Sequence, residues 1–210
     1  MSIKIHTLVL GPIQTNTYVV VDESTRKSVI IDLAVPSKQI TSLLEEHELE
    51  LAAIWITHAH FDHIGGVKWL RSQIKHPLPV ALHDLDTELW LNGGGSKDFG
   101  FDFDPGPAPN LPIVDGQILK VGQTEFKVLH TPGHCQGHVT YVSLLEKVAF
   151  CGDLIFRQGI GRSDLQYSQE ADLFESIRQK IFTLPQETVL YPGHGQITTV
   201  KEEMENNPFL

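Results

Sequence analysis

The sequence predicts an α+β fold in which two mixed β-sheets pack together and helices cover their outer faces. Strand-length apolar runs are separated by turns rich in Gly, Pro and polar residues, and amphipathic segments between them predict helices. The order along the chain is strands, helix, strand, helix, then strands, helix and strand. Packing the sheets face to face with helices outside would bury all these apolar faces. The 210 residues are interpreted as a single domain over residues 1–210.

The first half of the chain alternates between runs with a period of two and segments with helical spacing. Strands are predicted over residues 3–10, 15–21, 28–33, 51–57 and 80–82. Helices are predicted over residues 37–48, 67–74 and 84–91. Ser37 and Asp84 precede two of these helices and are the residue types that cap helix N-termini, so both are expected to be N-caps.

The second half of the chain begins after a segment rich in Gly and Pro, residues 92–112, in which no regular element is predicted. Phe99, Phe101 and Phe103 occupy every second position within it. This pattern supports two interpretations equally: the segment covers a functional site as a wall, or it is a surface loop anchored to the core by aromatic rings. Hairpins are predicted for residues 118–121 with 125–130 and for 140–144 with 148–151, a strand over 188–191, and helices over 171–182 and 200–205.

Composition and charge restrict the function. The net charge of -10 disfavours a nucleic-acid partner, because phosphate backbones are bound by basic surfaces. Only two cysteines, Cys135 and Cys151, are present, which fits a reducing compartment. The first ten residues alternate like a strand and lack the pattern of a signal peptide, and no apolar run reaches the ~20 residues of a membrane span. These features predict a cytoplasmic protein without a membrane partner.

The densest cluster of metal-binding residue types follows the apolar run at 51–57. His58, His60, Asp62 and His63 fall within six positions, between the end of a predicted strand and a predicted helix. His58 and His60 share one side of an extended segment, and the other two follow a bend and can point elsewhere. Two neighbouring metal ions suit this spacing better than one, since a helical zinc site would place two histidines at i and i+4.

Three further motifs each follow a predicted strand and carry one candidate ligand beside a glycine. These are Thr131-Pro132-Gly133-His134, Gly152-Asp153 and Pro192-Gly193-His194-Gly195. Together with the first cluster they give five histidines and two aspartates, which two zinc-like ions with open positions would need. The other six histidines are interpreted as ordinary surface or core residues: His6, His47, His76, His83, His130 and His138.

The run THAHFDH, followed by TPGH, GD and PGHG, resembles the metallo-β-lactamase superfamily over essentially the whole chain. The segments TPGHCQGH, GDLIF, GIGRSDLQ and NPFL are most similar to short bacterial type II glyoxalases, the hydroxyacylglutathione hydrolases. The resemblance implies an αββα sandwich with two metal ions at one edge. It assigns His58, His60 and His134 to one site, Asp62, His63 and His194 to the other, and Asp153 to both.

The resemblance also implies a reaction, the hydrolysis of a thioester such as S-D-lactoylglutathione. Two divalent ions lower the pKa of water towards about 7, and a hydroxide bridging them would attack the acyl carbon. Asp62 would also accept a proton as a catalytic residue, and Arg162 would contact the carboxylate of a glutathione-linked substrate. Asp164 and Gln196 stand where that family carries tyrosines, and the C-terminal domain of its longer members is not expected here. These departures leave the thiol carrier open.

The main alternative is an oxidoreductase, because GIGRSDLQ also resembles persulfide dioxygenases, which hold one iron. His58, His134 and Asp153 would then form the two-histidine, one-carboxylate set typical of iron oxygenases. Lactone or other ester hydrolysis also remains open, whereas a β-lactamase, a nuclease, a flavin-linked di-iron protein and a non-enzymatic metal-binding protein are ranked lower. Zinc is the favoured metal with iron or manganese as alternatives, and the oligomeric state is left open.

Overall fold

The computed structural model describes residues 3–210, and its first sheet contains the N-terminal strands. Its strands lie in the spatial order of their numbering, β1 to β6. The first three are antiparallel, and β3 to β6 run parallel to one another. The strands are β1 (Ile3–Leu10), β2 (Thr15–Asp22), β3 (Lys27–Ile31), β4 (Glu50–Trp55), β5 (Val80–His83) and β6 (Leu111–Ile113).

The second sheet is built from the C-terminal strands and is antiparallel except between β10 and β13. In chain order the strands are β7 (Ile118–Val121), β8 (Thr124–His130), β9 (Val139–Ser143), β10 (Val148–Gly152), β11 (Ile155–Phe156), β12 (Gly159–Ile160), β13 (Val189–Pro192) and β14 (Thr198–Thr199). The spatial order is β14-β13-β10-β9-β8-β7, and β11 and β12 form a separate small hairpin.

Six helices cover the outer faces of the sheets or connect their strands. They are α1 (Lys38–Glu46), α2 (Phe61–Ile64), α3 (Val67–Gln73), α4 (Thr87–Leu91), α5 (Glu170–Ser176) and α6 (Val200–Asn206). The architecture is therefore the αββα sandwich that the sequence predicts. None of the helices in residues 3–210 has the length and apolar character needed to cross a membrane.

The alternation of side chains along each strand creates two kinds of apolar layer. Tyr18 and Val20 of β2 point between the sheets, whereas Val19 and Val21 point to the helices on the other face. Between the sheets, the ring of Trp55 lies 5.5 Å from that of Phe126, an edge-to-face arrangement that aromatic pairs prefer. This rigid double sheet fixes the strand ends that carry the candidate ligands.

The helix predicted over residues 84–91 is partly wrong. The side chain of His83 accepts a hydrogen bond from the Leu85 amide at 3.3 Å, so Asp84 is not the cap. Asp84–Asp86 form a 3-10 turn with Asp86 turned into the interior, and α4 begins only at Thr87. The predicted Ser37 cap is confirmed, because its side chain accepts a hydrogen bond from the Gln39 amide.

Residues 92–112 contain more structure than the sequence predicts. A 3-10 turn forms at Ser96–Phe99, and the end of the segment enters β6. Pro112 can lie in β6 because this is an edge strand, where a missing N–H leaves no neighbour unpaired.

The helix predicted over 171–182 is also interrupted, since α5 continues as a wider π-turn at Ile177–Ile181.

Candidate metal centre

The first ligand cluster lies where β4 ends and the chain turns into α2. His58 and His60 are in the connecting loop, and Asp62 and His63 belong to the single turn of α2. Gly65 and Gly66 then pack against the chain after β3, where a side-chain Cβ would overlap the carbonyl oxygens of Ala34 and Val35. Glycine is needed here because the loop must approach that backbone closely.

The remaining candidate ligands extend from strand ends of the second sheet. His134 follows β8, Asp153 follows β10, and His194 follows β13. Gly152, next to Asp153, adopts a φ of +46°, and a Cβ there would overlap the hydroxyl of Thr57. A glycine at this position lets the second sheet bring Asp153 against the loop that carries His58.

The structure brings six of the seven predicted ligand side chains together in two adjoining groups, with Asp153 between them. One nitrogen each from His58, His60 and His134 form the first group, with all three atoms within 4.8 Å of one another. One ligand atom each from Asp62, His63 and His194 makes up the second group, and these three atoms also lie within 4.8 Å of one another. His60 Nδ1 lies 2.9 Å from His134 Nε2, and His194 Nε2 lies 3.2 Å from Asp62 Oδ2.

Asp153 lies between the two groups and reaches both. Its Oδ2 is 3.7 Å from His134 Nε2 in the first group and 3.4 Å from His194 Nε2 in the second. Its Oδ1 is 3.4 Å from His63 Nε2. A carboxylate in this position is suited to bridge two cations, one in each group.

Hydrogen bonds on the outer side of the histidine rings determine which nitrogen faces the centre. The Thr57 hydroxyl donates to Asp32 at 2.7 Å, so its oxygen accepts from His58 Nδ1 at 3.0 Å. His134 Nδ1 donates to the carbonyl oxygen of Arg162 at 2.8 Å, and His63 Nδ1 donates to Asp32 at 2.9 Å. In the neutral form of each ring Nε2 therefore keeps its lone pair, as in metal-binding histidines whose other nitrogen is hydrogen-bonded.

Several of these inward-facing atoms are buried without a hydrogen-bond partner. His58 Nε2, His63 Nε2 and Asp153 Oδ1 are all in this state. A buried polar atom left unpaired costs about 1–3 kcal/mol, so such atoms are rare without a compensating ligand. Two divalent cations would satisfy all three atoms, and the borderline nitrogen and carboxylate donors fit zinc, iron or manganese.

Electrostatics at neutral pH leaves Asp62 ionised and His60 neutral, as cation binding requires, whereas His194 carries a proton that a bound cation would displace. Burial, together with the neighbouring His134, lowers the pKa of His60 to about 3, so the ring is neutral. Burial raises the pKa of Asp62, but His63 and a hydrogen bond from His194 outweigh it and lower the pKa to about 2. Burial lowers the pKa of His194, but its hydrogen bonds to Asp153 and Asp62 prevail and raise it to about 9.

Sequence reasoning missed two buried carboxylates that support the ligand loops. Asp32, just after β3, accepts hydrogen bonds from the Thr57 amide at 2.8 Å as well as from the Thr57 hydroxyl and His63. Its φ of +53° is in the left-handed region, a conformation that aspartate tolerates better than most residues. The only indication of this role in the sequence is that Asp32 interrupts an apolar run, directly after Val29-Ile30-Ile31.

Asp86 is the second missed carboxylate, and it connects the two ligand-bearing loops. Its Oδ2 accepts from the Ala59 amide at 3.0 Å and from the Cys135 thiol at 2.9 Å, and its Oδ1 accepts from the Gly137 amide at 2.6 Å. Ala59 separates His58 from His60 in the chain, and Cys135 follows His134. Cys135 is thus a buried hydrogen-bond donor on the far side of the loop, and burial raises the pKa of its thiol.

A cavity of about 290 Å³ opens over the metal-ligand cluster, and we call it the main cavity. Its apolar walls come from residues near the ligands and from the 92–112 segment: Ile13, Phe61, Leu89, Phe99, Phe156 and Leu165. The ring of Phe61 lies 5.1 Å from those of Phe99 and Phe101, so the segment is both an aromatically anchored loop and a wall of the cavity.

Arg162 lines the main cavity, but its guanidinium is already paired. It donates to both carboxylate oxygens of Asp164, at 2.8 and 3.0 Å. Both side chains are more than half exposed, so the pair contributes little to stability. An anionic substrate would have to compete with Asp164 for this arginine.

Comparison with known proteins identifies relatives along nearly the whole chain. The probable metallo-hydrolase YqgX of Bacillus subtilis is 37% identical over 205 residues, covering 96% of this chain and 94% of that protein. Hydroxyacylglutathione hydrolase GloC of Haemophilus influenzae is 33% identical, covering 94% and 93%. The mitochondrial persulfide dioxygenase ETHE1 of Homo sapiens is 32% identical, covering 93% of this chain and 71% of that protein.

Solved structures and a family model agree with these relatives. The crystal structure of the B3 metallo-beta-lactamase BLEG-1 superposes with a TM-score of 0.91 at 37% identity, covering 99% of both chains. That of TTHA1623 in a di-iron-bound form gives 0.87 at 37% identity, covering 98% of this chain and all of the other. The model of the metallo-beta-lactamase superfamily matches residues 10–194. The chain therefore belongs to the metallo-beta-lactamase superfamily.

Proposed function

We propose that this protein is a metal-dependent hydrolase that cleaves a thioester such as S-D-lactoylglutathione. The observation that carries the proposal is the convergence of six ligand side chains in two adjoining groups, with Asp153 between them and with unpaired, inward-facing atoms. The similarity to GloC supports this choice of substrate class. The two free, buried cysteines are consistent with the reducing conditions of the cytoplasm, where we place the protein.

In this proposal the first ion is held by His58, His60 and His134 and the second by Asp62, His63 and His194, with Asp153 shared. Two bound divalent ions, for which zinc is our first choice, would supply an ionised water molecule as nucleophile and polarise the substrate carbonyl. Asp32 and Thr57 hold the His63 and His58 rings so that each Nε2 points to the centre. This preorganisation avoids reorienting the ligands during reaction.

Asp62 is proposed to have a second role as proton acceptor. Its carboxylate lines the main cavity, and its Oδ2 accepts from the Thr15 hydroxyl at 2.9 Å. The hydroxyl holds the carboxylate in place beside His194, where the proton of the attacking water would be released. A thiolate leaving group needs no strong general acid, because the parent thiol has a pKa of about 8.5.

Arg162 is proposed to contact a carboxylate of the thiol carrier at the rim of the main cavity. Its position in the cavity lining supports this role, and its pairing with Asp164 limits how strongly it can attract an anion. Selectivity for glutathione thioesters is therefore expected to be moderate.

A hydrolysis assay tests the proposal directly. Protein with quantified metal content is assayed with S-D-lactoylglutathione, other thioesters and a β-lactam, the last because of the similarity to BLEG-1. Thioester hydrolysis that is lost on chelation and restored by zinc, iron or manganese supports the proposal. Absence of hydrolysis by a protein carrying two metal ions per chain contradicts it.

Persulfide oxidation is the second candidate, and the similarity to ETHE1 favours it. His58, His134 and Asp153 would hold a single iron, with Asp153 Oδ2 3.7 Å from His134 Nε2. Oxygen uptake with glutathione persulfide by the iron-loaded protein separates this reaction from hydrolysis. Oxygen uptake with one iron per chain and no thioester turnover would favour the dioxygenase.

A further inference from the structure

A second cavity adjoins the metal-ligand cluster at Asp62, and Arg162 is not part of its lining. This side cavity has a volume of about 300 Å³ and lies between the turn after β1, the chain after β3 and the 92–112 segment. Its walls include Leu10, Pro12, Val35, Pro36, Phe101 and Phe103. It shares Ile13, Phe61 and Asp62 with the main cavity, so the two cavities adjoin at these residues.

The lining of the side cavity offers almost nothing to a polar ligand. Among the described residues that line it, Asp62 is the only charged one and Thr15 the only hydroxyl. The Thr15 hydroxyl already donates to Asp62, and Pro12 and Pro36 have no backbone N–H. A peptide-like thiol carrier placed there would leave its polar groups unpaired, at a cost of about 1–3 kcal/mol for each group.

The main cavity differs in its polar residues. Arg162, Gln166 and Asp98 belong to its lining, and Arg162 supplies a cation at the rim. Polar amide and carboxylate groups of a carrier can therefore be paired on this side. The two cavities thus separate a polar subsite from an apolar one, with Asp62 at their junction.

We propose that the side cavity binds the acyl group of the substrate and that this group is an apolar chain. The proposal rests on the hydrolase function proposed above and extends it by naming the class of acyl group, an alkanoyl chain in preference to the hydroxyl-bearing lactoyl group. An unbranched alkanoyl chain would run from the carbonyl carbon at the metal centre past Asp62 and Ile13 towards Val35. The polar carrier would remain in the main cavity.

Burial of the acyl chain gives a measurable dependence on its length. Each methylene group removed from water stabilises the bound transition state by an amount that corresponds to about a fourfold increase in kcat/KM. Going from acetyl to butanoyl adds two methylenes, so kcat/KM should rise about 15-fold while the cavity still has room. The same increase should follow from butanoyl to hexanoyl.

The test uses the metal-loaded protein and N-acetylcysteamine thioesters, whose carrier is small and uncharged. Acetyl, butanoyl and hexanoyl thioesters are compared for the native protein and for Val35→Phe, which fills the side cavity. Val9→Phe adds the same ring at a surface position on β1 that is 60% exposed and outside both cavities. We expect the rise with chain length in the native protein and in V9F, and its loss in V35F.

Calorimetric titration with acetate, butanoate and hexanoate measures the same preference without turnover. If acetyl thioester is hydrolysed but neither kcat/KM nor affinity rises with chain length, the acyl proposal is wrong and the hydrolase function stands. An equal rise in V35F also overturns the proposal. If no thioester is hydrolysed, the hydrolase function fails. In that case, carboxylate affinity that increases with chain length in the native protein but not in V35F would still support an apolar subsite. Carboxylate affinity that does not increase with chain length in the native protein would refute it.

Discussion

Replacing Asp86 with Asn should loosen both ligand-bearing loops at once, because this one carboxylate receives hydrogen bonds from each of them. The amides of Ala59 and Gly137 and the thiol of Cys135 all donate to it at 2.6 to 3.0 Å. The side chain is only 1% exposed, so water cannot replace a lost acceptor. Asparagine has nearly the same shape and leaves no cavity, which isolates the effect of hydrogen bonding.

The size of the effect follows from counting acceptors. Asn keeps one oxygen and places an NH₂ group where the other oxygen was, so at least one backbone N–H loses its acceptor in either orientation. A buried N–H without an acceptor costs about 1–3 kcal/mol, and hydrogen bonds to a charged acceptor are the stronger kind. We expect the free energy of unfolding to fall by about 2–4 kcal/mol. Metal affinity should fall about 10–100-fold, as for other residues that support ligands indirectly.

Two measurements separate these effects. Denaturant unfolding of the chelated protein gives the stability change, and competition with a chromophoric chelator gives the metal affinity. Asp84→Asn is the matched control, since Asp84 lies on the same 3-10 turn but is exposed. If D86N and D84N have the same unfolding free energy and the same metal affinity, the role of Asp86 in holding the loops is refuted.

Three further changes test other parts of the structure. Burial raises the pKa of Asp22, but hydrogen bonds from Ser24 and Gln123 prevail and lower it from 3.8 to about 2. Its contribution to stability is thus complete above about pH 4 and lost as the pH falls to 2. Denaturant unfolding across this range should be less pH-dependent in D22N, and an unchanged profile would contradict this. Asp164→Asn should lower KM for S-D-lactoylglutathione by removing the competitor of Arg162, without changing KM for an uncharged thioester; equal effects on both would exclude the competition. Gly193→Ala would place a methyl group against Asp153 and His63, so measured metal content should fall, and two ions per chain in G193A would argue against this packing.

The fold and the candidate ligands were predictable because their signals are local. Alternating apolar residues defined β1 and β2, and four candidate ligands occur within six positions after β4. His134, Asp153 and His194 could be added because each follows a strand and a strand end is a rigid support. The assignment of each ligand to one of two ions came from resemblance, and it remains a proposal.

The features that the sequence did not predict depend on contacts between distant parts of the chain. Asp32 acts on Thr57, 25 positions away, and Asp86 acts on Cys135, 49 positions away. An isolated aspartate after a strand or in a turn usually caps the local backbone, so neither position carried a distinctive pattern. The side cavity is likewise formed by four separate segments, and no single segment indicates it.

The central claim is that the seven side chains together hold two metal ions that the reaction requires. The most direct measurement is thioester hydrolysis by chelated protein during stepwise addition of zinc, iron or manganese, with bound metal quantified at each step. We predict that activity reaches its maximum at two ions per chain and that His194→Ala reduces the number of tightly bound ions to one. Full activity in the chelated protein, or unchanged binding of two ions by H194A, would contradict the account.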